Sequence, residues 1–360
     1  MRQGIRQDTL PGRRRKPSRH AEGSPIRAGE DALVEFLKDR FPPKKPALEK
    51  GIGDDAAIWR PHGGEGLWAV TTDMLVEGID FRREWTAPED LGYKSLAVNL
   101  SDLAAMGAAP RFFTVALALP PDLTGRWVRR FYDGIAECGD GHGAALVGGD
   151  LSGGGTVVVS ITAFGESGDG KVVCRSGARA GDLLYVTGTL GRSAAGLELL
   201  RQGATHPRAA AQREALRAHR KPEPRCAAGA WLARSGCVRA MMDISDGLST
   251  DLPRLCAASG DGAGAGMDAE VFPERLPAFA PSSLWGCDPL ALACDGGEDY
   301  ELLFAVPRAR RKRLLATYPP DLPAVTHIGN MVEGRGKVWL VASDGRRRPL
   351  PPRGFDHFAR

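Results

Sequence analysis

Tyr93-Lys94-Ser95-Leu96-Ala97-Val98-Asn99-Leu100-Ser101-Asp102-Leu103-Ala104-Ala105-Met106-Gly107 is the stretch from which the fold is best read. Pro88 opens a helix ahead of it, with Thr86 as a cap region and Glu89 and Asp90 in the first turn, where the helix dipole favours acids. Leu96, Leu100 and Leu103 recur at helical spacing with Ala104 beside them, so one face is apolar. Asp102 falls near the end of this helix.

Five more short segments share its acidic or glycine-rich character. They are Gly53-Asp54-Asp55, Thr71-Thr72-Asp73, Gly148-Gly149-Asp150, Asp243-Ile244-Ser245-Asp246 and Gly296-Gly297-Glu298-Asp299. Several follow apolar runs that read as strands, which places nearly all of them at loop tips. Gathered carboxylates repel one another and raise each other's pKa, so cations are expected among them. Aspartates with Thr and Ser hydroxyls, and almost no His or Cys nearby, are hard oxygen ligands that suit Mg²⁺ rather than zinc or iron. Glycines next to the acids let backbone N–H groups approach an anion closely. Carboxylates, Mg²⁺ and glycine loops together point to phosphate chemistry. If the acceptor is itself a phosphate, two anions must be brought together, and even two unit charges about 4 Å apart repel by about 4 kcal/mol at an effective dielectric of 20. No GxxxxGK[ST] loop occurs, so this is not a Walker-type site.

Outward from these segments, strands are expected at about 56–59 and 67–72, the second delivering Asp73 at its end. Further strands fall at 112–119, at 144–147 ending in Gly148-Gly149-Asp150, and at 156–164. Beyond a glycine-rich boundary near 165–181 come strands at about 182–186, 241–243, 300–306 and 339–342. Helices cover about 30–40, 123–138, 193–201, 208–218, 225–234 and a stretch running through 257. Strands and helices do not alternate in a strict βαβ rhythm, so the reading is α+β, with two mixed domains over 26–165 and 166–360 and the site at their interface.

The 360 residues favour two domains, and 42% hydrophobic content is ample for their cores. The net charge of +4 owes much to Arg13-Arg14-Arg15-Lys16-Pro17-Ser18-Arg19-His20. Residues 1–25 read as a disordered basic extension; a nucleic-acid tail is the sharper alternative, but no aromatic residues interleave with the bases, so no nucleic-acid partner is expected. There is no 18-residue apolar run and no secretory leader, so neither a membrane span nor export is expected. The seven cysteines form no CxxC pair and fit buried thiols in a reducing cytoplasm.

In order, these motifs resemble those of the thiamine-monophosphate kinases. The resemblance runs from Gly51-Ile52-Gly53-Asp54-Asp55-Ala56-Ala57 through Thr71–Gly78, Tyr93–Gly107, Gly148-Gly149-Asp150, Arg175-Ser176-Gly177-Ala178, Asp243–Leu248 and Gly296–Leu302 to Gly354-Phe355-Asp356-His357-Phe358. It implies a fold shared with aminoimidazole ribonucleotide synthetase, a homodimer formed through the N-terminal domains, and direct in-line transfer of the γ-phosphoryl group of ATP to thiamine monophosphate. It further implies that Asp55, Thr71, Thr72, Asp73, Asp102, Asp150, Asp243 and Asp246 hold several Mg²⁺ ions. Gly149, Asp150, Arg175 and Ser245 would contact ATP, and Glu298 and Phe355 the thiamine phosphate. An arginine fork suits phosphate oxygens, and a Phe ring can stack on a flat cation.

One position departs from the pattern. The family has His after Val-Glu-Gly-Val; here the run is Val76-Glu77-Gly78-Ile79-Asp80. An ionised Asp80 donates no hydrogen bond, so either it acts on the substrate through a metal or a water, or the substrate contact there is rebuilt. Two relatives of the same fold are disfavoured. Selenophosphate synthetases carry a reactive Cys or selenocysteine near the N-terminus, whereas the first cysteine here is Cys138, and hydrogenase maturation factors end in Cys, whereas this chain ends in Phe358-Ala359-Arg360. A metal-binding protein without catalysis is the alternative from another class.

Overall fold

The computed structural model describes residues 29–42, 45–64, 66–204, 209–260, 266–279 and 287–357; the basic extension expected over residues 1–25 lies outside them. Two sheets divide the molecule. The first half contains α1 (Glu30–Arg40), β1 (Leu48–Lys50), β2 (Ala57–Trp59), β3 (Leu67–Val76), α2 (Pro88–Ala105), β4 (Ala109–Leu119), α3 (Gly125–His142), β5 (Ala145–Gly153) and β6 (Val158–Ser167). The second contains β7 (Leu183–Thr187), α4 (Arg192–Arg201), α5 (Ala210–Arg220), α6 (Cys226–Ser235), β8 (Ala240–Ile244), α7 (Leu248–Ala258), β9 (Gly266–Val271), α8 (Pro289–Asp295), β10 (Glu301–Val306), α9 (Arg311–Thr317), β11 (Val325–Gly334), β12 (Val338–Val341) and β13 (Arg347–Pro349). Strand order is β1-β2-β3-β6-β4-β5 in the first sheet and β13-β12-β9-β11-β7-β10-β8 in the second. Both are mixed: β4 with β5 and β9 with β12 run parallel, their other pairings antiparallel.

α2 joins the halves. Its Leu96, Leu100 and Leu103 are fully buried in the core that covers one face of the first sheet. Its crossing with α3 depends on glycines: a Cβ at Gly92 would stand 1.9 Å from the Phe131 carbonyl oxygen, and one at Gly134 1.9 Å from that of Glu89. The other side of α2 meets the second half, where a Cβ at Gly229 of α6 would lie 2.0 Å from the Ala104 carbonyl oxygen. A helix packed on both flanks buries polar side chains as well, and Lys94, Ser95, Asn99 and Ser101 are all buried. Each then needs an internal partner.

Two expected boundaries are corrected. β3 runs on to Val76, so Asp73 sits within the strand and not at its tip. The strand expected to stop at Val147 continues through Gly148-Gly149-Asp150 to Gly153. β1, β9, β11, β13, α8 and α9 carry little sequence signal. β11 holds His327, Gly329, Asn330 and Glu333, so it lacks the apolar run of a sheet-centre strand.

Candidate active site

α2 assembles the site from both halves. Asp55 comes from the bend before β2, Asp102 from the last turn of α2 and Asp243 from β8, and one carboxylate oxygen from each lies within 4.8 Å of the others. Thr71 Oγ1 on β3 donates to Asp102 Oδ2 at 2.5 Å. Ser101 Oγ donates to Asp243 Oδ2 at 2.6 Å, and the Asp73 N–H donates to Asn99 Oδ1 at 3.1 Å. Asn99, Ser101 and Asp102 thereby register β3 and β8 against each other across the junction.

The cluster is short of positive charge. Burial, with Arg175 opposing and Asp243 and Asp54 adding to it, pushes Asp55 up to about 7. Burial and the charges of Asp246 and Asp80 raise Asp73 to about 6, and burial raises Asp243 to about 6 against the Ser101 hydrogen bond. Asp102 is pushed well above the usual carboxylate range by burial and by Asp73, Asp243 and Asp55. Arg175 is the cation that does reach in: its guanidinium pairs with Asp55 Oδ1, and its backbone N–H donates to Asp54 Oδ1 at 3.1 Å. Asp55 Oδ2 is buried with no hydrogen-bond partner. Converging hard oxygens, one of them orphaned, suit a divalent cation.

Asp246 flanks this centre. Arg254 holds its Oδ2 at 2.5 Å and also reaches Asp31 of α1 at 3.2 Å. Sequence reasoning missed Asp251, whose Oδ2 accepts the N–H groups of Ser245, Asp246 and Gly247 at 3.1, 3.0 and 3.1 Å and so shapes the whole turn. The C-terminal tail lies against that turn: a Cβ at Gly354 would fall 1.9 Å from the Asp246 carbonyl oxygen, and the Phe355 N–H donates to the same oxygen at 3.2 Å. Phe355 is not a core residue. Its ring is 46% exposed and meets His357 edge-on at 4.7 Å.

Asp80 accepts the Val76 N–H at 2.7 Å, and burial raises its pKa. The acids of the Gly296–Glu301 segment go three ways. Glu298 pairs with Lys94 at 2.5 Å and His219 at 3.0 Å, which hold it down at about 2 against burial. Asp299 caps α4 by accepting the N–H groups of Gly191 and Ser193 at 2.6 and 3.2 Å. Glu301 is enclosed by Arg225, Arg192 and Thr187.

Three expected residues are not brought to the cluster within one chain. Pairing runs Met74–Ser160–Ala116–Asp150 across the first sheet, so Asp150 shares a face with Met74 and Thr72, whereas Thr71 and Asp73 occupy the α2 face. Thr72 Oγ1 instead bonds the Ile161 carbonyl. Gly149 lies within a strand, where a Cβ would meet the Val115 carbonyl oxygen at 1.9 Å; strand pairing accounts for the glycine. The physical cause is the alternation of side chains across a pleated sheet.

The chain is similar to known proteins over both halves. The AIR synthase related protein family matches with its N-terminal domain over residues 53–167 and its C-terminal domain over 179–341. Thiamine-monophosphate kinase of Escherichia coli (strain K12) is 36% identical over 331 residues, covering 92% of this chain and 98% of that protein. Its counterpart from Rhodopirellula baltica is 34% identical over 335 residues, covering 91% and 97%. Among solved structures, AaThiL complexed with AMPPCP and TMP superposes with a TM-score of 0.77 at 33% identity, covering 91% of this chain and 97% of that one.

Proposed function

The chain belongs to the thiamine-monophosphate kinase family, within the AIR synthase related proteins, and we propose that it transfers the γ-phosphoryl group of ATP to thiamine monophosphate, giving thiamine diphosphate and ADP in thiamine biosynthesis. A terminal oxygen of the acceptor phosphate bonds to the γ-phosphorus as the bond to the β,γ-bridging oxygen breaks, in line and without a phosphoenzyme. The observation that carries this reading is the convergence of Asp55, Asp102 and Asp243 from both halves with the orphaned Asp55 oxygen among them.

Asp55, Asp102 and Asp243 would hold Mg²⁺, with Asp73 and Asp246 beside them. Bound Mg²⁺ supplies neutralisation of phosphate charge. The protein's own part is placement. Thr71, Asn99 and Ser101 fix the carboxylates, while Arg175 and the Ser245 turn face the nucleotide phosphates. Asp80, Glu298 and Phe355 form the thiamine side. Such catalysis is positioning and electrostatics rather than covalent chemistry.

We assign the exposed face and edge of the first sheet to a second copy of the chain. Met74, Phe112, Leu146, Val147 and Leu151 all stand exposed there, more apolar surface than a lone sheet ordinarily shows water. Cysteines without a CxxC pair, with Cys138, Cys226, Cys237, Cys256 and Cys294 buried, fit the cytoplasm; among the described residues no helix is long and apolar enough to cross a membrane.

The test is direct. Protein, Mg²⁺, ATP and thiamine monophosphate should yield ADP and thiamine diphosphate in equal amounts. Metal-dependent nucleotide binding with no turnover on any phosphate acceptor would replace the kinase by a binding protein.

A further inference from the structure

A second buried charge cluster lies on α2, about 12 Å along the helix from Asp102 at 1.5 Å per residue. Lys94 is 2% exposed. A buried ammonium is costly unless it is paired, and the partner chosen is across the junction: Glu298 Oε1, at 2.5 Å. The other oxygen of Glu298 meets His219 Nδ1 of α5 at 3.0 Å, and Ser193 Oγ lies 3.1 Å from that nitrogen.

The backbone around this carboxylate is strained. Glu298 has φ 64° and Tyr300 φ 50°, both left-handed without being glycine, a conformation that residues with a side chain adopt only under strain. Two hydrogen bonds to the metal-side turn hold the segment there, Glu298 N–H to the Ser245 carbonyl at 2.6 Å and Tyr300 N–H to the Ile244 carbonyl at 2.9 Å. Nearby Glu301 shows what a purely structural acid looks like in this fold: it is 1% exposed, on regular strand, and closed off by two arginines and a threonine. Glu298 keeps 27% of its side chain open. Asp80 of the first half is close enough that both Glu298 and Lys94 act on its charge.

We infer that Lys94 is a positioning residue for the phosphate acceptor: from the N-terminal half it holds Glu298 of the C-terminal half in its strained, partly open orientation, so that recognition of a cationic, phosphorylated heterocycle depends on an ion pair across the domain junction. This rests on the kinase reading above. His219 steadies the second oxygen. Among the described residues no hydrogen bond or ion pair joins Lys94 to Arg175 or to the Ser245 turn, which meets Glu298 through its backbone N–H alone, so the nucleotide side is not expected to respond to loss of the lysine side chain.

The experiment uses the full chain with Mg²⁺. Wild-type turnover of ATP and thiamine monophosphate is measured first; its absence sinks the kinase reading itself. With turnover established, Lys94→Met is expected to raise KM for thiamine monophosphate about tenfold or more, with KM for ATP within about twofold and kcat within about threefold. Glu298→Gln should do the same, and Lys94→Met/Glu298→Gln should be no worse than the worse single variant, because both remove one device. Equal rises in both KM values, or losses that multiply in the double variant, overturn the inference. If Lys94→Met fails to fold, His219→Gln takes its place, with an expected threefold rise in KM for thiamine monophosphate alone. A folded His219→Gln enzyme without that selective rise, or loss of folding in both variants, marks the cluster as structural and overturns the inference as well.

Discussion

Two acidic regions of one molecule are handled in opposite ways. Around Asp102, carboxylates from three elements are buried together with too few cations, and Asp55, Asp73 and Asp243 are all displaced upward. In the segment Glu298-Asp299-Tyr300-Glu301, every carboxylate has its own donors: Lys94 and His219, the start of α4, and Arg225 with Arg192. The first region repels itself at neutral pH and gains from any cation that enters it. The second has a hydrogen-bond or ion-pair partner for each acid, although burial still pushes Asp299 up to about 7, and its acids are used to fix geometry. Acid content alone does not separate a metal site from scaffold; the balance of donors around each oxygen does.

The sharpest way to break this contrast is to neutralise one acid in each region. Asp102→Asn or Asp243→Asn should lower kcat by about a thousandfold or more, the scale of losing a transition-state electrostatic element, while the metal-free protein melts no lower than wild type because a repulsive charge has gone. Turnover within tenfold of wild type in both would dissolve the assignment. Glu301→Gln should do the reverse. It takes the carboxylate partner from Arg225 and leaves Arg192 with Glu214 alone, and breaking a buried ion pair from one side costs about 3–5 kcal/mol. A clear drop in melting temperature is expected, with little change in either KM of the enzyme that remains folded.

Proton linkage gives a third contrast. Carboxylates displaced upward bind more protons folded than unfolded between their ordinary range near 4 and their folded values of about 6–7. Stability of the metal-free protein should therefore fall as pH rises from about 4 through 7, with Asp299 of the second region, also at about 7, adding to the same trend. Glu298, held at about 2, has the opposite sign: its contribution is present above about 4.5 and is lost only as pH drops toward 2. Mg²⁺ at about a hundred times its Kd should restore about 2.7 kcal/mol at pH 8, and much less at pH 5.5, where the cluster is protonated. Equal stabilisation at both pH values in thermal melts would contradict the charge-deficient reading.

Much of this was legible in the sequence because α2, β3 and β8 are strongly patterned. Leu96, Leu100 and Leu103 mark the helix, and apolar runs deliver Asp73 and Asp243. What escaped depends on contacts that no local pattern encodes. Val147 falls at a register shift between β4 and β5, and with it the face on which Asp150 emerges is set; a reading that ends the strand at 147 cannot assign that face. Asp251 looks like an ordinary first-turn acid, yet it organises three N–H groups of the preceding turn. Lys94 stands in the sequence only as one residue of the Tyr93–Gly107 stretch. The available signal was the lack of any wholly polar flank between Leu91 and Ala105, which marks a helix buried all round.

The smallest expected effect concerns Phe355. Its ring is half exposed, packs edge-on against His357, and is carried by a tail pinned to the Asp246 carbonyl through backbone contacts. Removing the ring leaves that pin intact, so Phe355→Ala should neither unfold the tail nor disturb Asp246. A ring over a flat cation contributes about 0.5–2 kcal/mol, which converts to a rise of about twofold to thirtyfold in KM for thiamine monophosphate. KM for ATP should hold, since the pinned carbonyl and the Ser245 turn are unchanged. A matching rise in both KM values would mean that the tail acts by bracing the metal-side turn, and the aromatic side chain would then belong with the scaffold acids rather than with the substrate.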